Sequence, residues 1–298
     1  MLKKKKENFK VIVVFCNSRA KLLNKCLTSL AAATGIKSWT LILIQQEGYL
    51  EVSKVVDKHK DLIDILIRVQ PQYGFPLGNI NYNRILGTRF SFDDLHANYV
   101  LGIEEDNVIS KDALNLVDFI YSKYKNNKSF RGINLGSIEY GENISKDSYS
   151  LLRFGLHGSA GVLTNRSWKY IKKKKLLDFD LNNKNSAWDA KIEFYLKSGF
   201  MATPNLSRNL DLGYDGTFAP KSESDPYFIG IKKSWESVPS EYNLKYKRKQ
   251  IKHNLRQDAI GYKRRHGLIY LSRRHSSLYI ISKYLHLNLL ISRMLKLR

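Results

Sequence analysis

Acid is scarce in this chain: 27 Asp and Glu stand against 50 Lys and Arg over 298 residues, a formal net charge of +23. A surplus of that size calls for an anionic partner or surface. Cysteine is scarcer still. Two residues, Cys16 and Cys26, cannot build a disulfide framework or a zinc site, and their place on a predicted strand and the following helix suits inert core thiols. The seven histidines form no His-x-x-x-His pair, so helix-borne zinc chemistry is not expected. Neither "GYDGTF" nor the Gly-containing loop at 74–78 has the order of a phosphate-binding P-loop. There is no internal repeat and no apolar run of the roughly 18 residues that would span a bilayer, so an integral membrane protein is not expected. The basic start "MLKKKKENFK" has no apolar stretch behind it. A secretory signal is therefore not expected, and a reducing cytoplasm is.

What is present suits a folded protein of one or two domains, 43% of it hydrophobic. "KVIVVFC" (10–16) reads as a strand and "SRAKLLNKCLTSLAAATG" as a helix with Ser18 at its N-cap and Gly35 stopping it. Strands at 40–46, 64–69 and 98–104 alternate with helices around 50–59 and near 80–90, with a loop of Gly and Pro at 70–79. Strands that are apolar on both faces and alternate with helices predict a parallel sheet covered on two sides. "SKDALNLVDFIYSKYK" then predicts an amphipathic helix opened by Ser110, with Asp112 in its first turn. The middle third reads as mixed sheet and loops.

Against this background "LGIEEDNVIS" (101–110) stands out, because Glu104, Glu105 and Asp106 sit side by side at the end of a buried strand. Like charges there are costly unless a cation is present. Hard divalent ions prefer oxygen ligands and often take only one or two carboxylates, leaving the rest to phosphate and water. Strand alternation would send Glu104 and Asp106 to one side and Glu105 to the other, so that Asp106 holds the ion and Glu104 bonds a neighbour. The other reading is an ordinary exposed acidic loop. Ligands in parallel sheets sit beyond the carboxyl ends of strands, where "CNSR" (16–19) and "QQEG" (45–48) also fall; polar strand ends that merely meet water are the alternative. "WDAKIEFYLKSG" predicts a helix from Trp188 to Gly199 with Asp189 in its first turn, as a proton acceptor or as a simple cap. His157, in "FGLHGSAG", faces an acceptor or its own loop backbone.

Five stretches, "VIVVFCNSRAKLLNKCLTSL", "LILIQQEG", "YVLGIEEDNVISKDAL", "AWDA" and "PNLSRNLDLGYDGTF", occur in the order and spacing of their counterparts in the GT-A glycosyltransferases. The chain resembles most closely the N-acetylglucosaminyltransferase I type, and more broadly family 2-like bacterial glycosyltransferases, over roughly residues 9 to 220. The resemblance implies an α/β, Rossmann-like, mostly parallel sheet flanked by helices. It implies a metal-dependent hexosyl- or N-acetylhexosaminyltransferase using Mn²⁺ or Mg²⁺ and a nucleotide sugar, a UDP-sugar first. By position, the strand-end acidic motif falls on Glu104, Glu105 and Asp106, with Asp106 as metal ligand, Glu104 on the donor sugar, and Glu105 a conservative departure. Trp188 and Asp189 match a Trp-Asp pair whose acid is the general base. Arg19 and Glu47 would grip the nucleoside and its phosphates, while Ser207, Arg208 and Gly213 match a loop that orders over the donor. Asn81 takes the place of a base-contacting histidine, which leaves the base open.

Such chemistry needs the leaving phosphate neutralised and the acceptor hydroxyl deprotonated, which a metal and one carboxylate supply. With one base and no evident carboxylate nucleophile, inversion is expected. A Gly- and Ser-containing loop over the donor would limit hydrolysis.

Residues 231–298 differ from the rest: 17 basic residues against three acidic ones give +14 of the total charge. In the last stretch Ser282, Lys283, His286, Arg293 and Lys296 lie on one side of a helix opposite an apolar face. That pattern suits an anionic membrane surface, at about 1 kcal/mol per basic residue, or a helix packed on its own domain. The expected division is therefore a catalytic domain at 1–230 and a basic helical extension at 231–298, peripheral at the inner face of a membrane, with a saccharide or lipid-linked saccharide as acceptor. Rich Lys, Asn and Ile content suits an AT-rich genome, and with it a bacterial role in surface polysaccharide synthesis is the expectation. A nucleic-acid binder without catalysis is the rival class, since basic charge interleaved with tyrosine tracks phosphates and stacks bases, although no nucleic-acid module is recognised. A catalytically dead relative is a third reading, opposed by Glu104, Asp106 and Asp189.

Overall fold

The computed structural model describes residues 9–137, 149–152, 160–178, 181 and 188–213. The basic extension and His157 lie outside these residues. Strands β1 (Lys10–Cys16), β2 (Thr40–Gln46), β3 (Ile65–Val69) and β4 (Tyr99–Glu104) alternate with helices α1 (Ala20–Ala31), α2 (Leu50–Lys58) and α3 (Pro76–Arg89). There follow β5 (Asn107–Ile109), α4 (Ala113–Tyr124), β6 (Phe130–Asn134), β7 (Tyr149–Leu152), β8 (Ala160–Thr164), α5 (Asn165–Lys173), α6 (Trp188–Lys197), β9 (Phe200–Pro204) and β10 (Asn209–Asp211).

The main sheet has the order β3-β2-β1-β4-β8-β6-β9-β7. Its first half is fully parallel, as in a Rossmann unit, and β8 then joins β4 antiparallel. Of its seven ladders four are parallel, the fourth being β6 with β9. This is the α/β class that the resemblance implied, with a mixed second half.

Both faces of the central strands are covered, which is why β1 and β2 read as unbroken apolar runs. Ile12, Val14, Leu41, Leu43, Leu101 and Ile103 belong to a cluster shared with α1, α2 and α4. Val11, Val13, Phe15, Ile42, Ile44 and Val100 point the other way, toward residues of α5 and α6 such as Trp168 and Ile192. Cys16 and Cys26 are buried free thiols, and burial pushes both well above the ordinary thiol range, which fits inert core residues.

Two local expectations change. Arg19, not Ser18, occupies the N-cap of α1, and that helix ends at Ala31. Gly35, in the left-handed region at φ 86°, opens a short 3₁₀ turn instead of closing the helix. Likewise α4 begins after Asp112, whose carboxylate accepts bonds from the Ser110 hydroxyl at 2.6 Å and from Arg208 Nε at 3.0 Å. Its role is thus to hold a buried arginine.

Strand order puts the crevice where the chain reverses direction across the sheet, between β1 and β4, the place where ligands bind in open α/β folds. The loops that leave these two strands face each other there, since Phe15 pairs with Glu104 and the Glu105 N–H donates to the Phe15 carbonyl at 3.0 Å.

The burial pattern predicts the response to truncation. Leu43→Ala, at a fully buried site on β2, should cost about 2–5 kcal/mol. Leu50→Ala, at a site 70% exposed, should change stability by less than about 0.5 kcal/mol. Urea denaturation of the two variants checks the contrast.

Candidate functional site

The acidic triplet is met by two arginines. Glu105 is buried, and its carboxylate accepts the Asn17 N–H at 2.8 Å and Arg19 Nε at 2.9 Å. The same guanidinium reaches Asp106 through Nη2 at 2.8 Å. Arg19 therefore bridges both acids, and its side chain stays 36% exposed at the mouth of the crevice. Here strand alternation fails as a guide: β4 ends at Glu104, and the turn that follows puts Glu105 and Asp106 on one partner. Glu104 faces elsewhere, accepting a bond from Arg84 Nη2 at 2.7 Å.

Asp106 is the most constrained of the three. Its backbone carbonyl accepts the Leu212 N–H at 2.8 Å, and the Asn107 side chain donates to its carboxylate at 2.6 Å. The ribbon of β5 and β10 pairs Asp211 with Asn107, which brings a further carboxylate beside it. Gly213 then packs so closely that a Cβ there would lie 2.2 Å from Asp106 Oδ2, a position only glycine can fill. Burial, followed by the charges of Glu104 and Asp211, raises the Asp106 pKa to about 6 against the opposing pull of Arg19.

The second half of the site is built on α3, a helix that turns polar residues inward. Asn79 accepts the N–H groups of Gln72 and Tyr73 at 2.8 and 2.9 Å, pinning the preceding loop. Asn81, fully buried, accepts the Trp188 N–H at 3.0 Å and so fixes the start of α6. Arg84 lies over the Phe15 ring at 4.4 Å and over the Trp188 ring at 5.4 Å while it bonds Glu104. A cation held between aromatic faces and a carboxylate is stabilised by both. Gly102 makes room for it, since a Cβ there would lie 2.9 Å from Arg84 Nη1. Through these contacts Glu104 is tied to the first turn of α6, where Asp189 follows Trp188.

Arg19, Glu105, Asp106 and Gly213 thus meet directly, and Glu104 and Asp189 join through Arg84 and Trp188. Other expected site residues are placed differently. Glu47 sits past β2, its carboxylate accepting the Gln70 side chain and its N–H bonding the Val69 carbonyl. Asn81 serves an interior contact. Ser207 and Arg208 are fully buried: the serine hydroxyl donates to the Asn209 carbonyl, while Arg208 pairs with Asp112 and donates to the Leu206 carbonyl.

Sequence reasoning missed Arg84 and Asp211. For Arg84 a signal existed in "GNINYNRILG", a helix with too little apolar character to have a dry face, yet built into an α/β layer. Buried polar side chains in such a helix mark a site better than exposed ones do.

No family model matches the chain, and no curated protein does. Among solved structures, S. aureus TarS 1–349 is similar at 11% identity and TM-score 0.47, over 89% of this chain and 73% of that one. The same fragment in complex with UDP-GlcNAc is similar at 12% identity and TM-score 0.48, over 87% and 73%. S. aureus TarS itself is similar at 13% identity and TM-score 0.46, over 86% of this chain and 43% of that one. At these values the likeness is too distant to carry an argument about function.

The raised Asp106 pKa has a direct consequence. Between about pH 4 and pH 6 the folded chain holds a proton that the unfolded chain has lost, so this residue's contribution to stability falls as pH rises through that window. Asp106→Asn should therefore gain stability relative to the wild type as pH rises from about 4 to 6, with the difference smallest near pH 4. Chemical denaturation of both proteins across pH 4–7 measures it.

Proposed function

We propose that this chain is a metal-dependent, inverting glycosyltransferase that moves a sugar from a UDP-sugar to a saccharide acceptor. The observation that carries the reading is Asp106, buried at the switch point of the sheet among like charges. Four carboxylates, Glu104, Glu105, Asp106 and Asp211, are met there by two guanidiniums, those of Arg19 and Arg84. The deficit of two positive charges suits a dication. Among the described residues no three His, Cys, Asp or Glu side chains gather to hold an ion by themselves. One protein carboxylate with diphosphate and water completing the shell is the arrangement such ions accept.

Asp106 would hold Mn²⁺ or Mg²⁺, which when bound neutralises charge on the departing diphosphate. Arg19, half-exposed and already bridging two acids, is placed to turn its guanidinium toward a phosphate oxygen. Glu104, steadied by Arg84, would accept a hydroxyl of the donor sugar, and Glu47 a group of the nucleoside. Asp189, at the amino end of α6, would take the proton of the acceptor hydroxyl as the hydroxyl attacks the anomeric carbon from the face opposite the nucleotide. Glu105 would act by holding Arg19 and the Asn17 backbone, and Gly213 by closing over Asp106. Ser207 and Arg208 would support that closing segment from below, and Asn81 would position Asp189 through α6.

The finer assignments belong to the same proposal. The catalytic domain would be 1–230, with 231–298 holding it at an anionic membrane surface on the cytoplasmic side. A lipid-linked saccharide in surface polysaccharide synthesis would be the acceptor there.

Calorimetric titration with UDP-sugars, with and without Mn²⁺, tests the core of it. Asp106→Ala should abolish metal-dependent donor binding, whereas Asp189→Asn should keep donor binding and lose transfer by roughly 10²- to 10⁴-fold. Transfer at the wild-type rate by Asp189→Asn would exclude Asp189 as the base. Salt-sensitive oligonucleotide binding, with no response to UDP-sugars and Mn²⁺, would instead favour the nucleic-acid reading.

A further inference from the structure

A cavity of about 310 Å³ opens at the other end of the sheet, lined by Tyr121, Lys125, Phe130, Thr164, Asn165, Arg166 and Lys169. Thr164 pairs with Tyr99, the first residue of β4, while Glu104 is the last. Five residues of strand put the two sites about 17 Å apart. The cavity therefore belongs to neither the acidic crevice nor its loops.

Three of its lining residues are cationic and none is acidic. Lys125 and Lys169 have no ion-pair partner among the described residues, and Arg166 donates through Nη1 to the Asn127 carbonyl at 2.6 Å, which fixes its head at the rim. Lys125 alone has a local rationale, because it caps the carboxyl end of α4, where positive charge is favoured. Arg166 has the opposite relation to α5: it is the second residue of that helix, where a cation opposes the dipole, and no acid lies in the first turn, while Lys169 stands at the middle of the helix. Gathered on one cavity, the three cations also repel one another. An anion in the cavity would be attracted to all three cations and so offset these unfavourable interactions.

We propose that this cavity is a binding site for a phosphate group carried by a carbohydrate. The three cations supply the charge and would hold the anion by charge-assisted hydrogen bonds, since the Thr164 hydroxyl is bonded to Ser167 and the Asn165 amide to the Ala97 carbonyl. Tyr121 and Phe130 form an apolar wall, with Tyr121 braced against Tyr99 at 3.9 Å between ring centroids, so the site takes an anion joined to a larger body. Its volume holds a monosaccharide phosphate or the phosphorylated end of a longer glycan.

Lys125, Arg166 and Lys169 are all exposed, so their replacement leaves the core intact. Calorimetry at low salt on the full chain should find wild-type binding of glucose 1-phosphate and of a phosphorylated oligosaccharide. The tighter of the two identifies the source of the phosphate. In the Lys125→Gln/Arg166→Gln/Lys169→Gln variant both should bind at least tenfold more weakly, while Asp106→Ala should bind both as wild type does. Equal binding by the triple variant, or loss of binding in Asp106→Ala, overturns the site. Neither result bears on donor binding in the crevice, which the metal-dependent titration reads separately.

Discussion

Carboxylates clustered beyond the carboxyl ends of β1 and β4 repel one another, and the surrounding structure is arranged around that repulsion. Arg19 crosses from the β1 loop to grip two of them, and Arg84 rises from α3 to grip a third. Neither arginine could be there without consequences for its neighbours. Arg19 takes the N-cap of α1, a position where its side chain does no capping. Arg84 needs a glycine on β4 and two aromatic rings to lie between. The result is a site fixed before any ligand arrives, with short bonds to backbone and side chain on nearly every acid.

Much of the first half of the fold was legible, because β1 to β4 and the helices α1 and α2 follow period and composition. Helix α3 departs from expectation: it starts at Pro76 inside the loop expected over 70–79, where proline suits the first turn of a helix, and it buries polar residues. Strand β4 and α6 begin within a residue of their expected starts. The acidic triplet too was visible, since three acids in an acid-poor chain at a strand end ask for an explanation. What could not be read was pairing. A sequence shows that Glu105 follows Glu104, but the turn after β4, which sends them to different arginines, depends on the register between β1 and β4. Arg208 and Asn81 show the same limit from the other side. Each looked like a group that meets a ligand, and each is bonded inside, Arg208 to Asp112 and Asn81 to the Trp188 N–H. A polar residue in a motif is equally suited to building the site as to touching what enters it.

The charge layout separates two environments on one sheet. At one end four carboxylates, two of them buried, outnumber two arginines, and at the other three cations line a cavity with no acid. In a chain of net charge +23 the acidic crevice is the exceptional place, held against the average by burial and by backbone donors. The basic cavity follows the average in sign, yet departs from it in putting charge where a helix dipole opposes it.

Strand order has a further consequence, for how the molecule is made. β4 is an inner strand, but its second neighbour is β8, whose last residue comes 60 positions after Glu104. At roughly 5–20 residues per second of synthesis, the parallel half waits about 3–12 s on the ribosome with a bare, apolar edge. A nascent chain of this topology offers a chaperone one well-defined strand to cover, and β8 is what releases it.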